Sequence, residues 1–163
     1  MSEAREIHVQ MCQLAIGSGS DVLRATLGSC VGIGLLWRER AIAGLAHCLL
    51  PGEGHALARR EPLGVGARYV TQALPSLFKL MGVREAEQGE LEAVLAGGAN
   101  MVHYASAPRH ASIGEQNVLV AQTLLDRLGV RIIHRDVGGE CGRQLSIDCA
   151  RQEFAVRIFN RSN

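Results

Sequence analysis

Short apolar runs separated by polar or glycine-rich breaks fill the first third of the chain. Residues 6–16 alternate loosely between apolar and polar side chains, which predicts one half-buried strand. Two compact apolar runs, Val31–Trp37 and Ala41–Leu50, flank the polar triplet at 38–40. This arrangement predicts a β-hairpin that is buried on at least one face, and the Pro-Gly step at 51–52 ends its second strand.

Two later segments change to a period between three and four residues, which is typical of amphipathic helices. The first predicted helix spans Val65–Met81, and Pro75 inside it predicts a kink or a break. The second begins at Ser112, whose spacing from Glu115 matches a capping box, and ends at Leu128 just before a glycine.

The remaining apolar runs are short and predict further strands. They lie at Leu91–Ala96, Val130–Val137, Gln144–Cys149 and Phe154–Phe159. Strands therefore come in groups with two helices between them. This order predicts an α+β fold in which two main helices pack on a largely antiparallel or mixed sheet system. The length of 163 residues suits one core, so we predict a single domain over residues 1–163.

Composition and charge narrow the classes of partner. The 17 basic and 16 acidic residues nearly cancel and no Lys/Arg block stands out, so we expect no nucleic-acid partner. The first residues lack a basic start followed by an apolar core, and the longest apolar run, Val31–Trp37, is too short to span a bilayer. We therefore expect a cytoplasmic protein without membrane insertion. The near-neutral, rather apolar surface leaves protein–protein contacts open.

The five cysteines could form disulfides, bind a metal or act as nucleophiles. They are Cys12, Cys30, Cys48, Cys141 and Cys149. Their odd number argues against a disulfide framework in a cytosolic chain, and the lack of a Cys-x-x-Cys pair argues against structural zinc. His47 and Cys48 are neighbours on a predicted strand and point to opposite faces, so they do not easily share an ion. We expect neither a metal nor a cofactor.

Cys30 is the cysteine in the most suggestive surroundings. It follows Gly28 and Ser29, and it precedes Val31 at the start of a predicted strand. Small neighbours let a substrate carbonyl approach the backbone and leave N–H groups free to face a developing oxyanion. The alternative is a packed cysteine with no chemical role, which is the commoner state of a free cysteine.

His47 lies 17 residues after Cys30, in an otherwise apolar run. If the two predicted strands pair as a hairpin, both side chains lie at the same end of it. A histidine placed there can remove the thiol proton, so we expect Cys30 to be the most reactive thiol of the chain. The alternative is a buried histidine that is satisfied by a backbone carbonyl.

Two glycine pairs follow predicted strands, in the segment 97–100 (Gly-Gly-Ala-Asn) and at 138–139. Neither has the spacing of a dinucleotide or phosphate loop. They are interpreted either as tight turns or as walls of a cleft near Cys30, with Gly98 and Asn100 as candidate substrate contacts. The other histidines considered are predicted to be loop or surface residues: His55, His103, His110 and His134.

Taken in order, these segments resemble the chemoreceptor glutamine deamidase family, CheD. The resemblance runs from about Leu23 to Phe159, and its short motifs are specific through their order and spacing. They are Leu-Gly-Ser-Cys-Val at 27–31, Gly-Leu-Ala-His-Cys-Leu-Leu-Pro at 44–51, Tyr69, Gly-Gly-Ala-Asn-Met at 97–101, Ile-Gly-Glu-Gln-Asn at 113–117 and Asp-Val-Gly-Gly-Glu-Cys-Gly-Arg at 136–143.

The resemblance implies a layered α/β sandwich that deamidates selected receptor glutamines to glutamate, with Cys30 as nucleophile and His47 as base. The groups expected to contact the oxyanion or the substrate are Gly28, Ser29, Val31, Gly98 and Asn100. It also implies two partners, the cytoplasmic helices of chemoreceptors and a CheC-type chemotaxis phosphatase. Two alternatives are a non-enzymatic regulator that binds such a phosphatase or receptor helices, and a cysteine protease.

The family's third catalytic residue, a threonine several positions before the cysteine, has no direct counterpart. The position six before Cys30 is Arg24, and the nearest threonine is Thr26. A cysteine–histidine pair usually needs a third group to hold the imidazole. The candidates are the Thr26 hydroxyl and a backbone carbonyl of Arg24–Leu27, and we favour the carbonyl. Arg24 has no acceptor, so its side chain should point away from His47.

Overall fold

The structure is a computed structural model that describes residues 4–52, 64–101 and 111–159. In these ranges the chain forms nine strands and two α-helices, with short 3₁₀ helices at Arg38–Arg40 and Glu85–Glu90. In chain order the strands and α-helices are β1 (Glu6–His8), β2 (Leu14–Ser18), β3 (Val22–Leu27), β4 (Val31–Trp37), β5 (Ile42–Cys48), α1 (Val70–Met81), β6 (Glu92–Gly97), α2 (Ile113–Arg127), β7 (Arg131–Val137), β8 (Gly142–Asp148) and β9 (Glu153–Phe159).

The strands form two mixed sheets. The five-stranded sheet has the order β2-β5-β4-β6-β7, and the four-stranded sheet has the order β1-β3-β8-β9. Each sheet contains one parallel pair, β6–β7 in the first and β1–β3 in the second, and its other pairs are antiparallel. The predicted mixed, largely antiparallel α+β architecture with two main helices is confirmed.

Two apolar layers flank the five-stranded sheet. The layer between the sheets includes Leu23, Leu27, Leu45, Val94, Leu145 and Ile147. The layer beneath the two helices includes Ile33, Leu35, Leu74, Leu77, Leu95, Ala121 and Leu125. The fold is therefore a three-layer sandwich of helices, five-stranded sheet and four-stranded sheet. The central strand β4 is buried at every position, which explains its unbroken apolar sequence.

The hairpin predicted from the two apolar runs is confirmed as β4 and β5. The strands pair antiparallel, with Val31 opposite Cys48 and Gly32 opposite His47. The first strand has the predicted bounds, whereas the second is shorter than Ala41–Leu50. The four later strands also lie within about two residues of their predicted bounds.

The single strand predicted over residues 6–16 is wrong, because this segment crosses from one sheet to the other. It forms β1 and β2, with a turn at Met11 and Cys12 between them. The strand β3 was not predicted. Its alternation is regular, with Leu23 and Ala25 facing the core, but Arg24 and a short length weaken its apolar signal.

The first helix begins at Val70 rather than at Val65. The residues before it extend along the end of β5, where Leu50 forms a β-bridge with Tyr69 and accepts the Val70 N–H at 2.9 Å. Pro75 lies inside the helix without breaking it. In the described part of the chain, neither helix combines the length and the apolar character needed to cross a bilayer.

Candidate active site

The segment 28–30 links β3 to β4 and is held by backbone hydrogen bonds. The Gly98 N–H donates to the Cys30 carbonyl at 2.8 Å, and the Ala99 N–H donates to the Gly28 carbonyl at 3.0 Å. Gly97 allows this approach, because its φ is +101° and a Cβ there would lie 2.2 Å from the Cys30 oxygen. The first glycine pair is therefore a tight turn that contacts the Cys30 segment directly.

Alternation along β4 indicates which face carries Cys30. A Cβ at Gly32 would meet Leu27, and a Cβ at Gly34 would meet Ile147, so both positions face the four-stranded sheet. Cys30 lies two residues earlier and belongs to the same inter-sheet layer, with 4% of its surface exposed.

His47 faces the same inter-sheet layer as Cys30. It lies directly opposite Gly32, whereas its neighbour Cys48 belongs to the layer beneath the helices. Cys30 is therefore diagonal to His47 across the hairpin, a relation in which residues lie about 7–8 Å apart. The structure brings the predicted nucleophile and the predicted base to the same face and the same end of the hairpin.

A backbone carbonyl holds the imidazole of His47, which is 5% exposed. Nδ1 of His47 lies 2.9 Å from the Val9 carbonyl oxygen. A carbonyl can only accept, so Nδ1 carries the proton and Nε2 of the neutral ring keeps its lone pair. Val9 is itself fixed, because its N–H donates to the Arg24 carbonyl at 2.7 Å.

The expected type of orienting group is therefore present, but its expected position is wrong. The carbonyl belongs to Val9, 38 residues from His47, and not to Arg24–Leu27. Thr26 is exposed and, with Arg24, alternates with the inward residues of β3. Arg24 pairs with Glu6 at 3.0 Å, in agreement with the expectation that its side chain points away from His47.

The second glycine pair lies against the first. The Gly138 N–H donates to the Gly97 carbonyl at 3.0 Å, and the Asn100 N–H donates to the Gly139 carbonyl at 2.8 Å. Arg143 steadies this junction, since its Nε donates to Asp136 at 2.8 Å. The second pair thus supports the turn that contacts Cys30.

A cavity of about 360 Å³ opens beside the Cys30 segment. Its lining residues are Ser29, Leu49, Leu50, Ala99, Asn100, Met101, Ser112, Ile113 and Gly114. Gly98 instead lines a second cavity of about 180 Å³ along α2. The cavity beside the Cys30 segment is mostly apolar and has a size suited to a side chain and its neighbours.

Several backbone N–H groups of the segment 28–30 take no part in backbone hydrogen bonding among the described residues. In the described residues, the N–H groups of Gly28, Ser29 and Cys30 donate to no backbone carbonyl. Val31 differs, since it is paired with Cys48 on one side and Gly97 on the other, inside the ladder of the sheet.

Both titratable groups are shifted toward their neutral forms. Burial raises the pKa of the Cys30 thiol, and the nearby Cys12 thiol raises it further, while the N–H of Cys30 itself acts in the opposite direction. Burial lowers the pKa of His47, against the effect of the Val9 carbonyl. Burial therefore favours the thiol form of Cys30 and the neutral form of the His47 imidazole. The high reactivity expected of Cys30 stays a prediction.

The other histidines considered in the sequence lie away from Cys30 and His47 or outside the described residues. His134 lies exposed on β7, whereas His55, His103 and His110 lie outside the described residues. Within the described ranges, no three His, Cys, Asp or Glu residues are grouped to hold a metal ion. Two residues of the site were missed, Val9 and Asn117, because both reach it through tertiary contacts far apart in the chain.

Comparison with known proteins agrees with the order of the motifs. A family model described as CheD chemotactic sensory transduction matches residues 49–158. A protein of Ruegeria sp. named probable chemoreceptor glutamine deamidase CheD 2 is 38% identical, over 98% of this chain and 95% of its own length. Proteins of Bdellovibrio bacteriovorus and Pyrococcus horikoshii, both named probable chemoreceptor glutamine deamidase CheD, are similar as well. The first is 37% identical over 87% of this chain and 88% of its own length, and the second is 36% identical over 94% and 92%.

The family model begins after His47, but the relatives align over nearly the whole chain. The match of the model over most of the chain and the identities above 30% show that this protein belongs to the CheD family.

Proposed function

We propose that this protein is a hydrolase that converts selected glutamines of chemotaxis receptors to glutamate. The names of the CheD relatives supply the substrate class. The observation that carries the proposal is the placement of Cys30 and His47 at one end of the β4–β5 hairpin, on one face of the sheet. The bond from Nδ1 of His47 to a carbonyl supports a role as base, because it leaves Nε2 to accept a proton.

In the first step, Nε2 of His47 takes the Cys30 proton as the sulfur attacks the carboxamide carbon of the glutamine. Transfer during the attack suits a pair in which burial favours the neutral thiol and the neutral imidazole. The developing oxyanion is stabilised by N–H groups of Gly28, Ser29 and Cys30, which donate to no backbone carbonyl in the described residues. We give Val31 a supporting role only, since it lies within the sheet.

In the second step, the imidazolium of His47 gives its proton to the departing ammonia, which leaves a thioester on Cys30. His47 then activates a water molecule, which attacks the thioester and releases glutamate and the free thiol. Asn100 and Ser29 line the cavity beside the Cys30 segment and are proposed to contact the substrate there. Gly98 acts through the backbone, by holding the Cys30 carbonyl. Thr26 is given only a minor role, because it lies exposed on the outer strand face.

The cytoplasmic helices of chemoreceptors are the partner that follows from this reaction. A CheC-type phosphatase is proposed as a regulator on the family resemblance alone. The reaction as written uses no cofactor and no metal. A cytoplasmic location is proposed with it, because the substrate helices lie there. Residues 1–163 would act as one deamidase-like domain, because both sheets contribute to the layer that contains Cys30.

The decisive experiment measures ammonia release from purified receptor cytoplasmic fragments. Mass spectrometry of the fragments should show intact chains that are heavier by about one dalton at each modified glutamine, as amide hydrolysis requires. Cys30→Ala should abolish both signals while the protein keeps its melting temperature. Cys48→Ala is the matched control, because this buried cysteine faces the helices instead.

The alternative is a non-enzymatic regulator that binds receptor helices. It is supported by the burial of Cys30 and by its raised pKa, which suit an unreactive thiol. It predicts that wild type binds receptor fragments without releasing ammonia. Full activity in folded Cys30→Ala would exclude Cys30 as the nucleophile. Cleaved receptor fragments would indicate a protease.

A further inference from the structure

Asn117 contacts the segments that carry Cys30 and His47, but it has no role in the proposed reaction. It is on α2, with 0% of its surface exposed. Its Nδ2 donates to the Ser29 carbonyl at 3.0 Å and to the Leu49 carbonyl at 3.1 Å. One side-chain amide therefore connects the residue just before Cys30 to the residue two positions after His47.

The two bonds lie where the hairpin itself stops. The last paired residues of β4 and β5 are Val31 and Cys48, and the next pair in the same register would be Cys30 and Leu49. Within the described residues, the carbonyls of Ser29 and Leu49 accept no backbone N–H. The amide of Asn117 thus links the two strands one residue beyond their last backbone pair, beside Cys30 and His47.

The helix that carries Asn117 is anchored independently of this amide. A Cβ at Gly114 would lie 2.3 Å from the Gly98 carbonyl oxygen, so the first turn of α2 lies directly on the glycine turn. Asn117 is three residues further along the same helix, and it therefore has a set position above the segment 28–30.

Stability alone does not account for an amide at this position. In the described part of the chain, Oδ1 of Asn117 is buried and has no hydrogen-bond partner. A buried acceptor without a partner is costly, whereas an apolar side chain of similar shape carries no such cost. The benefit of the amide therefore lies in what its two donors hold.

We propose that Asn117 is a positioning residue that keeps the Cys30 segment aligned with His47. This inference rests on the proposed deamidase function. Without the amide, the ends of the two strands lose the donor group that they share, and the sulfur and Nε2 are held less firmly in one relative position. The binding of receptor does not depend on this alignment, so the turnover number should fall while KM stays nearly constant.

Asn117→Ala tests the proposal, with Ala121→Gly as a matched control. Ala121 is buried on the same helix one turn later and makes no hydrogen bond to the Cys30 segment. We expect Asn117→Ala to lower kcat for receptor deamidation at least tenfold, with KM within twofold of wild type. Ala121→Gly should lower the melting temperature by a comparable amount while kcat stays within twofold.

Alkylation of Cys30 by iodoacetamide provides a second readout that needs no receptor. Loosening the segment should expose the thiol, so the Cys30 labelling rate, measured by peptide mass spectrometry, should rise at least threefold in Asn117→Ala and less than twofold in Ala121→Gly. If wild type releases no ammonia, the deamidase proposal fails, and the labelling rates still decide whether Asn117 holds the segment.

Three results would overturn the inference. They are an unchanged kcat and labelling rate in folded Asn117→Ala, an equal loss of kcat in Ala121→Gly, or a change confined to KM. If Asn117→Ala does not fold, Asn117→Ser decides the matter, because its hydroxyl can serve only one of the two carbonyls. It should lower kcat without changing KM, and failure of both variants to fold would make Asn117 a folding residue instead.

Discussion

The two ends of the β4–β5 hairpin are built from different interactions. At the closed end, beside the turn at 38–40, Glu92 binds Arg131 at 2.7 Å and also binds Arg38. Glu87 binds Arg40 at 3.2 Å in the same region. Charged side chains on neighbouring elements therefore hold the closed end, and several of them remain largely exposed to solvent.

At the open end, the side chains of the candidate site are buried and make no ion pairs among the described residues. Cys30, His47 and Asn117 are at most 5% exposed, and His47 and Asn117 bond to backbone carbonyls. No ion pair among the described residues involves any of the three. Their geometry depends on backbone contacts with the glycine turns and with α2.

The closed end is suited to stabilising the fold, and the open end is suited to the candidate chemistry. Exposed ion pairs are screened by water and each contributes little to stability. Buried titratable groups are instead shifted in pKa by the loss of water, and such shifts are typical of functional sites. Substitutions at the open end should therefore affect reactivity, and substitutions at the closed end should affect stability slightly.

The largest effect is expected for His47→Ala. Loss of the proposed base should lower the deamidation rate by about 10²–10⁴-fold, the usual contribution of general acid–base catalysis. His134→Ala is the control, because this histidine is exposed on β7. The rate of ammonia release from receptor fragments measures the effect. Equal activity of the two variants would remove His47 from the mechanism.

The next effect concerns pH. Because burial raises the pKa of Cys30, its labelling rate with iodoacetamide should rise about tenfold per pH unit from pH 7 to beyond pH 9, in proportion to the thiolate fraction. Because burial lowers the pKa of His47, the acid-side loss of kcat/KM should occur at a lower pH than the ordinary titration of histidine would give. A labelling plateau below pH 7 would instead indicate a thiolate–imidazolium pair.

A smaller effect is expected for Thr26→Val. Thr26 is exposed and a carbonyl already holds His47, so the substitution should cost less than about tenfold in rate, or roughly 1.4 kcal/mol of transition-state stabilisation. The measurement is kcat/KM for receptor deamidation in the folded variant. A loss of several hundredfold would make Thr26 the residue that orients His47.

The smallest effect is expected at the closed end. Glu92→Gln should lower the free energy of unfolding by about 1 kcal/mol or less and leave kcat unchanged. The hydrogen bond from Arg38 is the main cause that lowers the pKa of Glu92. The stability that ionised Glu92 contributes is therefore present above the ordinary pKa of glutamate, and it is lost as pH falls through the lowered pKa of Glu92. Urea unfolding at pH 7 and at lower pH measures it. A clear loss of kcat would show that the two ends are coupled.

The sequence was most informative where one pattern repeats within a strand or helix. The apolar runs predicted the hairpin, and the hairpin placed Cys30 and His47 at one end, because antiparallel register follows from a short turn. The prediction of a single strand over residues 6–16 was wrong, because the segment forms two strands in different sheets. Loose alternation along the sequence does not indicate which sheet a strand joins.

By itself, the amino-acid sequence determined the strands of the β4–β5 hairpin, the approximate extent of α2 and the candidate pair Cys30 and His47. These depend on local periodicity and on contacts close along the chain. Only the tertiary structure decided which groups surround that pair. Val9 and Asn117 lie 38 and 88 residues from His47 and Ser29, their respective partners. The pKa shifts of the pair also depend on burial between two sheets, and burial is a property of the assembled layers.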